Sequence, residues 1–289
     1  MFSFSGKMIS KSRTPTSLIL ILLLGIIWLS LMGSITMAYF SVASVFAITN
    51  WVGLVLGLSL IFWNQKGKLF DRVNPLLFLV VGFLLLGLTL VEDSFSGVNR
   101  WINVLGFQLN IGLAFGPMIL IAIEKLKRPL ISFFTVGFVL LIFLFQPDAS
   151  QVTAFGGASL MVLHAQAKHK SLVLLFVGLS LAASAYSWIY LDELAPVDYV
   201  EGILGMAYSL HPLWMGLALV SLIFVPLPFF LVPRRDLPVL SYAIGVYFLI
   251  LLVSASFGNF PVLIMGYGIS PILGYFSALA WLTEKRNDE

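Results

Sequence analysis

Long apolar runs fill most of this chain of 289 residues and leave only short polar segments between them. Hydrophobic residues make up 60% of the sequence and charged residues only 10%, whereas soluble globular proteins carry roughly a quarter charged residues. Runs of about 20 apolar residues are long enough to cross the hydrocarbon layer of a bilayer as helices. The sequence therefore predicts an all-α bundle of membrane-spanning helices.

The apolar runs predict ten spans in a single membrane domain over 17–283, between an N-terminal tail at 1–16 and a C-terminal tail at 284–289. The shortest run, 150–165, contains two glycines, and a re-entrant or broken helix is the alternative to a full span there. The predicted spans cover 17–39, 42–63, 74–91, 108–124, 129–145, 150–165, 171–190, 201–231, 237–257 and 260–283.

The positive charges give these spans a direction. With the N-terminus inside, every Lys and Arg except Arg100 falls in a short segment on the inner side, as the positive-inside rule predicts for a cytoplasmic face. Both termini are then cytoplasmic, and Arg100 is the one cation predicted on the outer face. The acidic residues on or near that face are Glu92, Asp93, Asp148, Asp192, Glu193, Asp198 and Glu201.

Several classes of site are excluded by composition. The chain has no cysteine, which excludes disulfides, thiolate metal sites and thiol catalysis. Its three histidines lack the spacing of a zinc site, and there is no P-loop or dinucleotide fingerprint. The net charge of +3 follows from the cytoplasmic loops and does not indicate a nucleic-acid partner. Chemistry is therefore expected in the bundle and its outer loops.

Two outer segments carry groups suited to a lipid phosphate. Arg100 is followed by Trp101, and a guanidinium pairs with phosphate oxygens while an indole favours the headgroup region. The alternative is an ordinary interfacial anchor. Gln146, Pro147 and Asp148 directly follow the fifth span, where a simple turn that ends a helix is the alternative.

Two further segments carry an acidic pair and a cluster of small residues. Asp198 and Glu201 are three positions apart, which places them on one helix face if the eighth span begins early. The segment 266–270, Gly-Tyr-Gly-Ile-Ser, allows two backbones to approach closely or breaks a helix. The acidic residues at helix ends, Asp192 among them, are expected to be solvated and to need no specific partner.

Taken in order, these four segments resemble the SEDS family (shape, elongation, division and sporulation), which includes the FtsW- and RodA-like proteins. Members have ten spans with both termini in the cytoplasm. They carry Arg-Trp-Ile after the third span, Gln-Pro-Asp after the fifth, an acidic residue after the seventh, and a turn similar to Ser-Tyr-Gly-Gly-Ser-Ser in the tenth. The corresponding segments here begin at Arg100, Gln146, Pro196 and Gly266.

The resemblance implies a peptidoglycan glycosyltransferase in the bacterial cytoplasmic (inner) membrane. It would join lipid II, the disaccharide precursor linked to undecaprenyl pyrophosphate, on the outer face in division, elongation or sporulation. A class B penicillin-binding protein would be its transpeptidase partner, and a divalent cation (Mg²⁺ or Mn²⁺) is a candidate cofactor. The resemblance implies that the lipid pyrophosphate binds at Arg100, Trp101, Gln146 and Asp148. It also implies that Tyr267, Gly268 and Ser270 pack the last motif.

The family's essential acid falls on Asp198 or Glu201. A gapless match of Leu-Pro-Glu-x-x-Thr-Asp-Phe-Ile to residues 195–203 selects Glu201, whereas a match by residue type selects Asp198. The chain also departs from the family pattern. Asn110-Ile111-Gly112-Leu113 replaces Gln-Pro-Ser-Glu, and most of the loop between spans seven and eight is missing.

These departures favour a second hypothesis, a non-catalytic SEDS-like protein that binds a polyprenyl lipid or a wall-synthesis partner. A small lipid or solute transporter is a third hypothesis. Against it, the spans lack the buried charges that couple ion movement, and no inverted repeat is evident.

Topology can be tested with single tags and a membrane-impermeant labelling reagent. We expect external labelling near Asn99 and Asp192, because both positions follow an odd number of spans. A cytoplasmic tag at Asp192 would contradict the ten-span topology, because the segment 150–165 would then not cross. The positions expected to be cytoplasmic follow Lys68, Lys127, Lys170 and Arg235.

Overall fold

The computed structural model describes residues 16–92, 97–104, 106–167 and 169–284, with the side chains of 16 and 17 left out. The predicted N-terminal tail lies outside the described residues up to position 15, and the predicted C-terminal tail lies outside them from position 285. Asp93 and Lys168, which the charge argument uses, also lie outside them.

The described residues form thirteen α-helices and one short two-stranded sheet. The helices are α1 (Thr16–Tyr39), α2 (Ser44–Gly67), α3 (Leu69–Arg72), α4 (Pro75–Thr89), α5 (Ile111–Leu126), α6 (Pro129–Phe145), α7 (Ala149–Gln166), α8 (Lys170–Ile189), α9 (Ile203–Leu210), α10 (Pro212–Leu222), α11 (Leu227–Leu231), α12 (Pro238–Ser254) and α13 (Ile269–Leu282). The strands are β1 (Trp101–Val104) and β2 (Phe107–Asn110).

The predicted class, an all-α multi-pass membrane protein, is confirmed. Within the described residues, four helical segments are long and apolar enough to cross a bilayer: Leu18–Tyr39, Ser44–Gly67, Lys170–Ile189 and Pro212–Leu231. Shorter apolar helices, of 10–17 residues, are Pro75–Thr89, Pro129–Phe145, Pro238–Ser254 and Ile269–Leu282. The count of ten spans and the cytoplasmic termini stay predictions.

The segment 150–165, predicted as a short span or a broken helix, lies within the uninterrupted helix α7. Its residues are among the most buried in the chain, and α7 packs against α6, α8 and α12. Small side chains such as Ala154 and Ala158, both fully buried, let the neighbouring helices approach closely. The weak apolar pattern of α7 therefore reflects a central position in the bundle.

The predicted spans 201–231 and 260–283 are not continuous helices. The first is divided into α9, α10 and α11, and one break falls at Pro212, which has no backbone N–H for the helical ladder. In the second, residues 255–268 are not helical and only Ile269–Leu282 is. The prediction of a helix from residue 260 is therefore wrong for its first nine residues, where the small-residue segment breaks the helix instead.

A β-hairpin stands where the sequence predicts an outer loop followed by the start of a span. β1 and β2 pair antiparallel with Trp101 opposite Asn110 and Val104 opposite Phe107. Gly106, with φ of 88°, occupies the turn, where the left-handed region favours glycine. Asn110 then caps α5, because its Oδ1 accepts a hydrogen bond from the N–H of Leu113 at 2.9 Å. The span predicted from 108 thus begins as a helix only at Ile111.

The helix α13 packs closely against α2 and α5 in the centre of the bundle. At Gly274 a Cβ atom would lie 2.1 Å from the carbonyl oxygen of Leu113, so glycine is required for this approach. Just after the C-terminal end of α13, Glu284 accepts hydrogen bonds from the N–H groups of Phe70 and Asp71 at 3.1 and 3.4 Å. Glu284 also pairs with Arg234 at 3.4 Å, so the first described residue of the C-terminal tail is anchored to the bundle.

Candidate functional site

A buried ion cluster lies at the predicted outer end of the bundle, with Arg100 at its centre. The Arg100 side chain is 4% exposed and forms an ion pair with Asp148, with 3.6 Å between Nε and Oδ2. Its Nη2 group also pairs with Oδ2 of Asp192. The same two nitrogens donate to backbone carbonyls: Nε to that of Gln146 at 3.3 Å and Nη2 to that of Pro147 at 2.7 Å. Arg100, Asp148 and Asp192 are called the Arg100 cluster below.

Each part of the Arg100 cluster is held by its own element. Arg100 directly precedes β1, and its carbonyl accepts a hydrogen bond from the N–H of Ile111 at 3.3 Å across the hairpin. Asp148 caps the start of α7, because its Oδ1 accepts from the N–H of Gln151 at 3.1 Å. Asp192 lies just after α8, in the loop that leads to α9. Arg100 therefore joins a hairpin, the α6–α7 turn and the α8–α9 loop.

Two aromatic rings flank the guanidinium of Arg100. Its Cζ atom lies 5.9 Å from the ring centroid of Trp101 and 5.8 Å from that of Phe260. Rings at this distance contribute a cation–π attraction and shield the charge from solvent. Trp101 thus lies beside Arg100, as its place in the sequence suggests. The residue is half-buried, and its ring contacts the guanidinium.

Gln146 contributes to the site through its backbone, while its side chain turns toward α4. Its Nε2 donates a hydrogen bond to Oγ1 of Thr89 at 2.6 Å, and its side chain is buried. The structure therefore brings Arg100, Trp101, Gln146 and Asp148 together, as the sequence motifs suggest. In this arrangement the guanidinium of Arg100 is already paired with the carboxylate of Asp148 and bonded to the backbone carbonyl of Gln146.

The contact between Arg100 and Asp192 differs from the expectation that Asp192 is a solvated carboxylate. The side chain of Asp192 is only 10% exposed. Its other oxygen accepts a hydrogen bond from the N–H of Leu194 at 3.1 Å, which fixes the start of the loop. Two carboxylates face the one guanidinium in the Arg100 cluster, so the positive charge expected on this face is balanced within the protein.

Asp198 and Glu201 lie in a tight turn before α9 and not on a shared helix face. The N–H groups of Val200, Glu201 and Gly202 all donate to the carbonyl of Val197, at 2.9, 3.0 and 3.2 Å. The helix begins only at Ile203, so the early start on which the shared face depended does not occur. Asp198 is exposed, whereas Glu201 is half-buried.

The carboxylate of Glu201 is held by the backbone of its own turn. Its Oε2 accepts a hydrogen bond from the N–H of Val197 at 2.9 Å, and the backbone N–H of Glu201 is a second hydrogen-bonding contact of the carboxylate. Burial raises the pKa of the Glu201 carboxyl above its ordinary value of 4.5. The hydrogen bond from Val197 and the charge of Arg100 lower that pKa, and the charge of Asp192 raises it. Glu201 is thus an acidic group with a raised pKa close to the Arg100 cluster.

The last predicted motif packs through its backbone. The N–H of Tyr267 donates to the carbonyl of Tyr199 at 2.8 Å, which ties this segment to the turn that carries Asp198 and Glu201. Oγ of Ser270 accepts a hydrogen bond from the N–H of Asn110 at 2.8 Å, which ties it to the hairpin.

Asn50, which the sequence reasoning missed, holds this motif from α2. Its Nδ2 donates to the carbonyl of Gly266 at 2.9 Å, and its Oδ1 accepts from the N–H of Gly268 at 3.0 Å. Asn50 is fully buried in the helix. An amide within an apolar run is a signal in its own right, because a buried polar group in a membrane needs a partner. Asp192, in contrast, lies in a polar loop after α8, where a carboxylate is ordinary and does not indicate a buried contact.

No metal centre is formed by the side chains that the structure describes: no three of their His, Asp or Glu residues converge on one point. The predicted divalent cation therefore has no preformed ligand set in residues 16–92, 97–104, 106–167 and 169–284.

Comparison with known proteins finds similarity at the level of fold. No protein-family model matches the sequence, and no match is found among curated proteins. The crystal structure of the rod shape determining protein RodA from Thermus thermophilus is similar, with a TM-score of 0.59 and 18% identity over 90% of this chain and 94% of that one. A structure of a peptidoglycan synthase complex, described as coordinating polymerization and crosslinking, gives a TM-score of 0.62 and 17% identity over 91% and 96%.

Replacing Arg100 should destabilise the protein. Arg100→Ala leaves Asp148 buried without its cation, and breaking a buried ion pair from one side typically costs about 3–5 kcal/mol. We expect a clear fall in the melting temperature of the detergent-purified protein. Arg128→Ala is the matched control, since Arg128 is exposed and should change stability by less than about 0.5 kcal/mol. Equal melting temperatures for the two variants would contradict a central role for the Arg100 cluster.

Proposed function

We propose that this chain, which has the SEDS-family fold of RodA, polymerises a lipid-linked peptidoglycan precursor at the outer face of the bacterial cytoplasmic membrane. The observation that carries the proposal is the environment of Glu201. A carboxylate serves as a general base when partial burial raises its pKa. Glu201 is half-buried and has a raised pKa, whereas Asp198 is exposed. Between the two candidates for the family's acid, we therefore choose Glu201.

In the proposed reaction, a sugar hydroxyl of the acceptor attacks the anomeric carbon of the lipid-linked donor. Glu201 takes the proton from that hydroxyl as the new glycosidic C–O bond forms. The bond between the anomeric carbon and the pyrophosphate oxygen breaks, and the undecaprenyl pyrophosphate leaves with the electron pair. Arg100 is the cation nearest to this carboxylate in the described site, and its guanidinium would stabilise the negative charge that develops on the leaving group.

Binding of the pyrophosphate requires Arg100 to exchange a partner. The Arg100 side chain is 4% exposed, and its guanidinium already forms ion pairs with Asp148 and Asp192. Asp148 is fixed as the cap of α7, but Asp192 belongs to a loop. We infer that the lipid pyrophosphate replaces Asp192 at the guanidinium. This step ties access to the site to movement of the α8–α9 loop.

The neutralised state of Arg100 also supports the second hypothesis. A SEDS-like chain that no longer polymerises would keep the Arg100 cluster as a structural contact and bind a polyprenyl lipid or a wall-synthesis partner through other surfaces. A class B penicillin-binding protein is the partner we propose in either case. The similar fold in a peptidoglycan synthase complex supports this partner class. Glu201 separates the two hypotheses, because only the polymerase needs its carboxylate.

Replacing the carboxylate of Glu201 tests catalysis. Glu201→Gln keeps the shape and the hydrogen bond from Val197 but cannot accept a proton, so polymerisation of purified lipid II should fall by about 10²-fold or more. In the wild type, activity should be lost as the pH falls through the pKa of Glu201, which lies above 4.5 because of burial. Full polymerisation activity in Glu201→Gln would exclude Glu201 as the base, whereas the absence of polymerisation in the wild type would favour the non-catalytic hypothesis.

Two variants serve as controls for this measurement. Asp198→Asn removes the exposed neighbouring carboxylate and should retain most of the activity. Glu193→Gln removes an exposed carboxylate of the same loop and should leave the activity unchanged. If Asp198→Asn is inactive and Glu201→Gln is active, the choice between the two acids is wrong while the polymerase hypothesis stands.

Replacing Asp192 tests the exchange at Arg100. Asp192→Asn removes the charge that competes with the pyrophosphate, and we expect binding of undecaprenyl pyrophosphate to tighten, by up to about tenfold. Binding can be measured by native mass spectrometry or by lipid competition in detergent. Glu193→Gln is again the control. An unchanged or weaker affinity in Asp192→Asn would contradict the exchange.

A further inference from the structure

Three aromatic rings from separate parts of the chain meet beside the turn that carries Glu201. Phe46 of α2 stacks on Tyr199 with 4.6 Å between the ring centroids and an angle of 25° between the planes. Tyr267 meets Phe46 edge to face at 4.7 Å and lies 6.2 Å from Tyr199. Phe46, Tyr199 and Tyr267 are called the aromatic platform below.

Backbone contacts fix the positions of these rings. Tyr267 donates its N–H to the carbonyl of Tyr199 at 2.8 Å, and Val262 donates to the carbonyl of Val200 at 3.3 Å. At Gly266 a Cβ atom would lie 2.4 Å from the carbonyl oxygen of Val200, so the two segments touch directly. Asn50 holds the other side of the same segment. The backbone that carries Tyr199 and Tyr267 is therefore held from both sides by contacts within the chain.

The platform is open to a ligand. All three rings are half-buried and leave part of their surface accessible. Within the part of the chain that the structure describes, neither tyrosine hydroxyl forms a hydrogen bond with another residue, so both can bind a ligand. Glu201 lies two positions after Tyr199 in the same turn. Partly exposed aromatic rings, the two tyrosine hydroxyls and one carboxylate thus lie on this turn and on the segments packed against it.

This combination matches the chemistry of a pyranose ring. One face of such a sugar presents C–H groups, which pack against the negative face of an aromatic ring, and its edge presents hydroxyls that hydrogen-bond to carboxylates and phenols. We propose that the aromatic platform binds a sugar ring of the acceptor glycan. The identity of that sugar as the acceptor rests on the proposed function, because it places the platform next to the base that would deprotonate the acceptor hydroxyl.

Direct binding of a soluble sugar tests the proposal. The probe is the peptidoglycan disaccharide N-acetylglucosaminyl-N-acetylmuramic acid, added to the full-length protein in nanodiscs and followed by saturation-transfer NMR. In the wild type we expect transfer from aromatic protons to the C–H groups of one pyranose ring. Tyr199→Ala and Tyr267→Leu should each weaken binding by about tenfold or more, since each removes a stacking ring.

Matched controls come from a second pair of tyrosines. Tyr186 and Tyr190 lie near the end of α8, with ring centroids 4.7 Å apart and 57% and 62% exposure. Tyr186→Ala and Tyr190→Ala should leave the affinity unchanged. If Tyr199→Ala or Tyr267→Leu fails to fold, Tyr199→Phe and Tyr267→Phe keep the rings and should retain the aromatic saturation transfer with weaker affinity.

The outcomes separate this inference from the proposed function. Sugar binding that depends on Tyr199 and Tyr267 and persists in Glu201→Gln supports the platform even if no polymer forms. Polymer formation that is unaffected by folded Tyr199→Ala and Tyr267→Leu variants would overturn the platform and leave the polymerase standing. Absence of any aromatic saturation transfer in the wild type at millimolar disaccharide would also overturn it.

Discussion

The structure of the predicted outer face depends on how one buried cation is neutralised. A guanidinium that is 4% exposed is costly unless carboxylates and carbonyls surround it, and Arg100 finds both. Its partners lie on the α6–α7 turn and the α8–α9 loop, while its own backbone belongs to the β-hairpin. Arg100 therefore links three segments that are also held separately by contacts with the bundle.

The same charge has a structural role and a proposed role in binding, and this affects how variants must be interpreted. Loss of function on removing Arg100 would not separate the two roles, because removal also leaves Asp148 buried without a cation. Substitution of Asp192 changes the charge of the cluster at its loop side and keeps Arg100 in place. For this reason Asp192 is more informative about ligand binding than Arg100 itself.

Apolar runs and charge placement predicted the class of fold, because burial in lipid constrains composition along the whole chain. The small residues at 266–270 were consistent with a helix break, but the apolar run placed residues 260–265 in a span. The backbone of this stretch is satisfied by long-range partners such as Asn50 and Tyr199. For the site, the motifs selected Arg100 and Asp148 but not Asp192. The role of Asp192 arises from its tertiary contact with Arg100, which no local sequence pattern predicts.

The short connection between α8 and α9 is compatible with the catalytic hypothesis, although its shortness was first an argument for a non-catalytic protein. One end of the connection is tied to Arg100 through Asp192, and the other is tied to the segment before α13 through Tyr199. Glu201 lies two positions after Tyr199, so the contact between Tyr199 and Tyr267 can hold its turn while Asp192 exchanges at Arg100. The short connection thus carries the candidate base and one ring of the aromatic platform, and through Asp192 it also reaches the cation.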